Sequence, residues 1–138
     1  MKTKAFSNII KKNGEVLAIV FQSKNRPDGL CFPTPLDYPL QIGWHTQKAQ
    51  RTVPLHRHPD LKYNVVNSQE FLYVEKGKVS VKLTDKNWKL VKKINLEKGD
   101  SILITGGGHE VTIGKNTSIL EVKQGPYPGD AYAKIYKK

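Results

Sequence analysis

The fold prediction rests on LHRHPDLKYNVVNSQEFLYVEKG, which spans residues 55–77. Two histidines one residue apart, His56 and His58, stand near its start, and the alternating run EFLYVE begins at Glu70. Side chains two positions apart on a β-strand lie on the same face. We therefore expect His56 and His58 to point the same way. On the same alternation, Glu70 should share its face with the apolar residues two and four positions later.

A second stretch, GDSILITGGGH at residues 99–109, ends in His109. The three glycines before this histidine allow the backbone to turn tightly or to approach another segment closely. Imidazole and carboxylate groups together suit a divalent transition metal such as zinc, iron, manganese or nickel. The sequence therefore predicts a metal pocket inside a small β-barrel, with four ligands: His56, His58, Glu70 and His109.

Other roles for these four residues remain open. The three histidines can be hydrogen-bonded strand residues, or acid and base groups that work without a metal. Glu70 can equally be a catalytic general base, if histidines alone hold the metal. Three histidines and one carboxylate leave room for water or substrate on a metal, so such a site can be catalytic.

The rest of the chain reads as short strands separated by turns. Asn13-Gly14 is a two-residue turn signal that predicts a hairpin between AFSNII and EVLAIVFQ. Four prolines predict an irregular arm over residues 24–39. Roughly ten strands at this spacing, without helix-period patterns, predict an antiparallel all-β sandwich or closed barrel. We expect one domain of residues 1–138, with a core at about 40–125 and the hairpin and arm at 1–39.

Finer predictions follow from the same alternation and turn residues. AQRTVPL and AYAKIY are each expected to form a strand. EFLYVE and KVSVKL should pair about a tight turn at Lys76-Gly77, and HEVTI and SILEVKQ about Gly114-Lys115-Asn116.

These residues resemble the two motifs of the cupins, a family of small jelly-roll metalloproteins. The first motif has a histidine pair, a downstream glutamate and a glycine, and here the interval 59–68 reads as an insertion between pair and glutamate. Its matching residues are His56, His58, Glu70 and Gly77. The second motif runs from a glycine through an apolar strand to a histidine, as Gly99, Gly107 and His109 do, with Thr105 where the family has proline.

The resemblance implies a jelly-roll β-barrel and a metal held by residues of both motifs. It implies less about the reaction, because cupins include sugar epimerases and isomerases, dioxygenases, decarboxylases and binding proteins. The ending SILEVKQGPYPG resembles small single-domain bacterial cupins associated with surface-polysaccharide or nucleotide-sugar metabolism. Small cupins commonly dimerise, so we expect a homodimer that uses the N-terminal hairpin and the proline-rich arm.

The leading functional prediction is a metal-binding cupin that acts on a small polar or anionic carbohydrate-like substrate. The alternatives are a non-catalytic, metal-dependent binding or sensing protein, and a metal-free sugar isomerase or epimerase that uses the same histidines. Whether the chain is an enzyme stays open at this stage.

Charge and composition narrow the expected partners. The net charge is +11, with 20 lysines and three arginines. The lysines are scattered and arginine is scarce, which favours a solvated surface over a nucleic-acid interface. No apolar run approaches the ~20 residues that span a bilayer, and the single Cys31 is compatible with a reducing cytoplasm. We expect a cytoplasmic protein with a small-molecule ligand and neither nucleic-acid nor membrane partners.

Several residues near the motifs receive structural interpretations. Gln69 should face outward if Glu70 faces inward, and His45 is expected to be a partly exposed histidine and not a further ligand. Lys123, Gln124 and Tyr127 can line the mouth of the barrel, or belong to a turn that closes it.

Overall fold

A computed structural model describes residues 6–138, and strands make up 43% of this part of the chain against 5% helix. The all-β prediction is therefore confirmed. Residues 1–5, which belong to the predicted N-terminal hairpin region, lie outside the described residues.

Ten strands, one 3-10 turn and one short helix follow each other along the chain. They are β1 (Ser7–Lys12), β2 (Glu15–Phe21), the 3-10 turn (Ser23–Asn25), β3 (Gly29–Cys31), β4 (Trp44–Thr46), β5 (Glu70–Lys76), β6 (Lys78–Thr84), β7 (Leu90–Glu97), β8 (Ser101–Ile104), β9 (Gly108–Ile113), β10 (Ser118–Lys123) and α1 (Asp130–Ala133). One sheet has the order β1-β2-β8-β5-β10, a second has the order β7-β6-β9, and β3 pairs with β4. All the pairings are antiparallel.

The main core is made of apolar residues from strands of the two larger sheets. In β6, Val79, Val81 and Leu83 are buried while Lys78 and Lys82 are exposed, as alternation in a half-buried strand requires. A second cluster, built on Ile19, Phe21 and Leu103, packs against residues of the proline-containing arm. The five-stranded sheet therefore has apolar side chains on both of its faces.

The predicted N-terminal hairpin is confirmed for β1 and β2. Asn13 and Gly14 have φ values of 52° and 77°, which are the left-handed values of a type I′ turn. Such a turn matches the twist of the two strands that it joins.

Other predictions of strand pairing are wrong, mainly because strands that are adjacent in the sequence belong to different sheets. Gly77 (φ 87°) carries the chain from β5 in the five-stranded sheet to β6 in the three-stranded one, so these strands do not form a hairpin. In the same way, β9 pairs with β6, and β10 pairs with β5. AYAKIY contributes to α1, and AQRTVPL has no ladder partner.

The described sheets do not close into a barrel. Residues 47–69 contain no strand, and β9 and β10 each lie at the edge of a sheet. The two larger sheets therefore form an open sandwich, and residues 47–69, which were expected to include a further barrel strand, form none.

Across residues 6–138, the helices are too short and too polar for any of them to cross a membrane.

Candidate functional site

Glu70 and His109 meet at one end of the sandwich. Nε2 of His109 donates a hydrogen bond to Oε2 of Glu70 over 2.9 Å. Glu70 begins β5 on the face of Leu72 and Val74, both of which are core residues, as the alternation predicted. His109 lies opposite the buried Leu83 in the β6–β9 ladder. One carboxylate and one imidazole from separate sheets therefore form a pair.

The electrostatics of the pair favour an ionised carboxylate. The hydrogen bond from His109 lowers the pKa of Glu70 below its usual value of 4.5, and partial burial opposes this effect. Lys123 and Lys134 lower the pKa further through their charge. The Glu70 side chain is 19% exposed and that of His109 is 33% exposed, so the pair is half-buried and still reachable by a small molecule.

The glycines before His109 bring the backbone closer to its neighbours than other residues would allow. Gly107 has φ 60°, and a Cβ there would collide with the carbonyl oxygen of Thr84. At Gly108 a Cβ would come within 2.9 Å of the Trp88 ring. Both positions therefore need glycine, and the expectation of a close backbone approach is confirmed.

A cavity of about 680 Å³ opens beside the pair. Its walls combine the glycine turn with the β6–β7 loop, where Asp85, Lys86 and Trp88 lie, and with residues 133–136 near the C-terminus. A volume of this order is typical of small-molecule sites. The contributions of Trp88 and residues 133–136 were missed from the sequence, because no local pattern links them to the histidine motifs.

Polar residues anchor the chain around the start of β5, and Gln69 among them is buried. Gln69 is 2% exposed, so the expectation that it faces outward to the surface is wrong. Its N–H donates to Oε1 of Gln124, and Nδ2 of Asn67 donates to the carbonyl of Thr105 over 3.1 Å. These bonds tie the backbone beside Glu70 to β8 and to the end of β10. Oε1 of Gln69 and Nε2 of Gln124 have no hydrogen-bond partner among residues 6–138.

His56 and His58 lie in an exposed segment without regular structure, residues 47–67. Their rings are close to each other, with centroids 5.1 Å apart. Nδ1 of His56 is 2.7 Å from the carbonyl oxygen of Pro54. Because a carbonyl only accepts, Nδ1 is the donor, and in the neutral ring the lone pair is then on Nε2, which is the form that binds metals.

The two pairs, Glu70 with His109 and His56 with His58, do not come together. Within residues 6–138 no three His, Cys, Asp or Glu side chains form a group that can hold a metal ion. The expectation that His56 and His58 lie on a strand is wrong, because their segment makes no ladder. A metal with all four expected ligands does not fit this arrangement unless residues 47–67 move.

The other residues considered from the sequence make structural contacts away from the Glu70–His109 pair. His45 is exposed on β4 and its ring packs edge-on against Phe32. Nζ of Lys123 lies over the ring of Tyr127 at 4.7 Å, and Gln124 anchors β5. These residues lie outside the lining of the cavity at Glu70. A second cavity, of about 620 Å³, is lined by polar residues such as Lys24, Asn95 and Lys78 and by no histidine.

Searches against family models, curated protein sequences and solved structures gave no match to this chain. Sequence motifs and the geometry of the Glu70–His109 pair are thus the features that bear on function.

Proposed function

We propose that this protein is a small cupin that binds a divalent transition metal and a small polar or anionic carbohydrate-like molecule. The observation that carries the proposal is the 2.9 Å contact between Glu70 and His109 beside a cavity of about 680 Å³. From β7 to β10, strands that follow each other in the sequence lie alternately in the three-stranded and the five-stranded sheet. This alternation supports a jelly-roll arrangement.

The metal part of the proposal requires residues 47–67 to fold over the cavity. Glu70 and His109 supply one carboxylate and one imidazole, which are suitable ligands for zinc, iron, manganese or nickel. His56 and His58 would supply two more imidazoles, and the free Nε2 of His56 suits this role. Their segment is exposed and joins β5 close to Glu70, so its movement breaks no ladder.

The metal test begins with elemental analysis of protein purified without a metal-chelating tag. We expect one equivalent of a divalent transition metal. Titration calorimetry should then show that His109→Ala weakens binding by at least tenfold to a hundredfold, roughly the cost of losing even a supporting contact. His45→Ala is the matched control and should leave the affinity unchanged. A His56→Ala/His109→Ala double variant that keeps one full equivalent at native affinity would refute the assignment.

The Glu70–His109 hydrogen bond itself favours a second candidate, a metal-free sugar isomerase or epimerase. An ionised carboxylate of lowered pKa next to an imidazole can accept and donate protons at two nearby atoms of one substrate. This reaction would incorporate solvent deuterium into a sugar in the presence of a chelator, and Glu70→Gln would abolish the exchange. Metal-dependent binding without any turnover would instead identify the non-catalytic binding or sensing protein.

We also propose that the protein forms a homodimer. β1 is an edge strand, and the hairpin and arm expose Ile9, Leu30, Phe32 and Leu36. Edge strands and exposed apolar side chains commonly mediate self-association. Light scattering at micromolar concentration should give twice the chain mass, and a value near 15.6 kDa would contradict the proposal.

A further inference from the structure

We propose that Trp88 is the platform on which the cavity holds the ring of its ligand, while Glu70 and His109 hydrogen-bond the polar edge of that ring. This inference rests on the proposed function of the cavity. It assigns the residue that selects the ligand, and it accounts for two unusual features of the backbone near the site.

The first feature is the backbone conformation of Trp88. Three residues other than glycine have positive φ in the described chain, and two of them are asparagines, which tolerate it. The third is Trp88, with φ 66°. The left-handed conformation costs a residue with a side chain about 1–2 kcal/mol. A tryptophan at such a position needs a compensating role.

The loop does not need the indole in order to form. Oδ1 of Asp85 accepts hydrogen bonds from the N–H groups of Asn87 and Lys89, at 2.9 and 3.0 Å. The N–H of Trp88 donates to the carbonyl of Asp85, and the N–H of Asp85 to the carbonyl of Lys89. All these contacts involve backbone atoms or Asp85, so glycine at position 88 would keep them and relieve the strain.

The second feature is the bare backbone under the indole. A Cβ on Gly108 would lie 2.5 Å from Oγ1 of Thr84, 2.9 Å from Cζ3 of Trp88 and 3.1 Å from Cε3 of Trp88. Glycine is therefore required there by Thr84 as well as by the indole, and the six-membered part of the indole packs on the residue that directly precedes His109. The strained φ and this close packing together hold an aromatic ring in the wall of the cavity that also contains Glu70 and His109.

This combination suits a pyranose ring. A pyranose has a C–H face that stacks on an indole and hydroxyl groups around its edge. Hydroxyl groups can donate to the carboxyl oxygens of Glu70 and exchange hydrogen bonds with His109. A flat aromatic ligand would also stack, but it offers fewer donors to the carboxylate. Lys86 and Lys134 also belong to the lining of the cavity, where they can approach an anionic substituent of such a ring.

The test follows the fluorescence of Trp88 in a Trp44→Phe background. Trp44 packs edge-on against Phe6 and Phe21, and phenylalanine keeps an aromatic ring at this place. The thermal midpoint of the Trp44→Phe protein is measured first, and this protein is the reference for the titrations. The probes are methyl glucoside, methyl galactoside, glucuronate and glucose 1-phosphate, with uracil as the flat control that carries no sugar hydroxyl group. We expect saturable changes with at least one pyranoside and none with uracil. No response to any of the sugars at millimolar concentration, or a response to uracil alone, would overturn the proposal.

Trp88→Gly separates a binding role from a structural one. Relief of the positive φ and loss of the packing on Gly108 act in opposite directions, so the thermal midpoint should stay close to that of the native protein. Sugar affinity by calorimetry should fall at least tenfold, and Trp88→Phe should restore part of it. Unchanged sugar affinity in folded Trp88→Gly would show that the indole serves only the fold.

The metal content distinguishes failure of this inference from failure of the proposed function. Trp88→Gly should keep the native metal equivalent, because the indole is not a ligand. If metal binds but no sugar does, the inference fails and the metal site stands. If sugars bind through Trp88 in protein that takes up no metal, the metal part of the proposed function fails and the inference stands.

Discussion

The two histidine-bearing regions of this chain differ in how their positions are determined. Glu70 and His109 are held by strand ladders on both larger sheets and by glycines that no other residue could replace without a collision. His56 and His58 lie in residues 47–67, where Leu55 is fully exposed and Val66 is 88% exposed. The first region is built by long-range pairing, whereas every residue of the second is exposed.

The difference shows that a sequence motif becomes a structural site only where packing holds its residues in place. His56 and His58 are spaced as side chains on one face of a strand would be, and so are the alternate residues of EFLYVE. Only EFLYVE forms a strand. Alternation becomes structure when an apolar face can be buried, and β5 buries Leu72 and Val74 in the main core. The predictions below compare the two regions directly, from the largest expected effect to the smallest.

Matched leucine truncations should give the largest contrast. Leu72 is 3% exposed in the core, so Leu72→Ala should lower the free energy of unfolding by about 2–5 kcal/mol. Leu55 is fully exposed, so Leu55→Ala should change it by less than about 0.5 kcal/mol. Urea denaturation measures both values. A large cost for Leu55→Ala in metal-free protein would mean that residues 47–67 already pack against the body.

Two glycine substitutions test how strongly the turn before His109 is constrained. Gly107→Ala adds left-handed strain and a collision with Thr84, so it should cost roughly 2–4 kcal/mol. Gly14→Ala is the control, since Gly14 has φ 77° and open space around it, and it should cost only about 1–2 kcal/mol. Thermal denaturation would compare them. Equal destabilisation by the two substitutions would contradict the close contact between Gly107 and Thr84.

The smallest effect concerns the pH dependence of the Glu70–His109 pair in metal-free protein. The pKa of Glu70 is lowered in the folded state, so its contribution to stability is present above its unfolded value of 4.5. It is lost as the pH falls through the lower folded pKa. Glu70→Gln should therefore be less stable than the native protein near neutral pH, and the difference should shrink below about pH 4.5. A difference that grows on acidification would contradict the pairing.

Much of the fold could be predicted from the sequence, because it depends on local signals. The hairpin at Asn13-Gly14, the strands β5, β6 and β8, and the inward face of Glu70 follow from turn residues and alternation. The distribution of strands between the two sheets depends on long-range pairing, so the expected hairpin across Gly77 was wrong. Gln69 and Trp88 could not be assigned either, since burial and cavity position are tertiary properties that a short pattern does not contain.

The central claim is that metal binding joins His56 and His58 to Glu70 and His109. Amide hydrogen exchange of residues 47–67, measured with and without saturating Zn²⁺, tests it most directly. We predict fast exchange in metal-free protein, marked protection when Zn²⁺ is bound, and loss of that protection in His109→Ala. Uptake of one Zn²⁺ equivalent while exchange in residues 47–67 stays fast would contradict the claim.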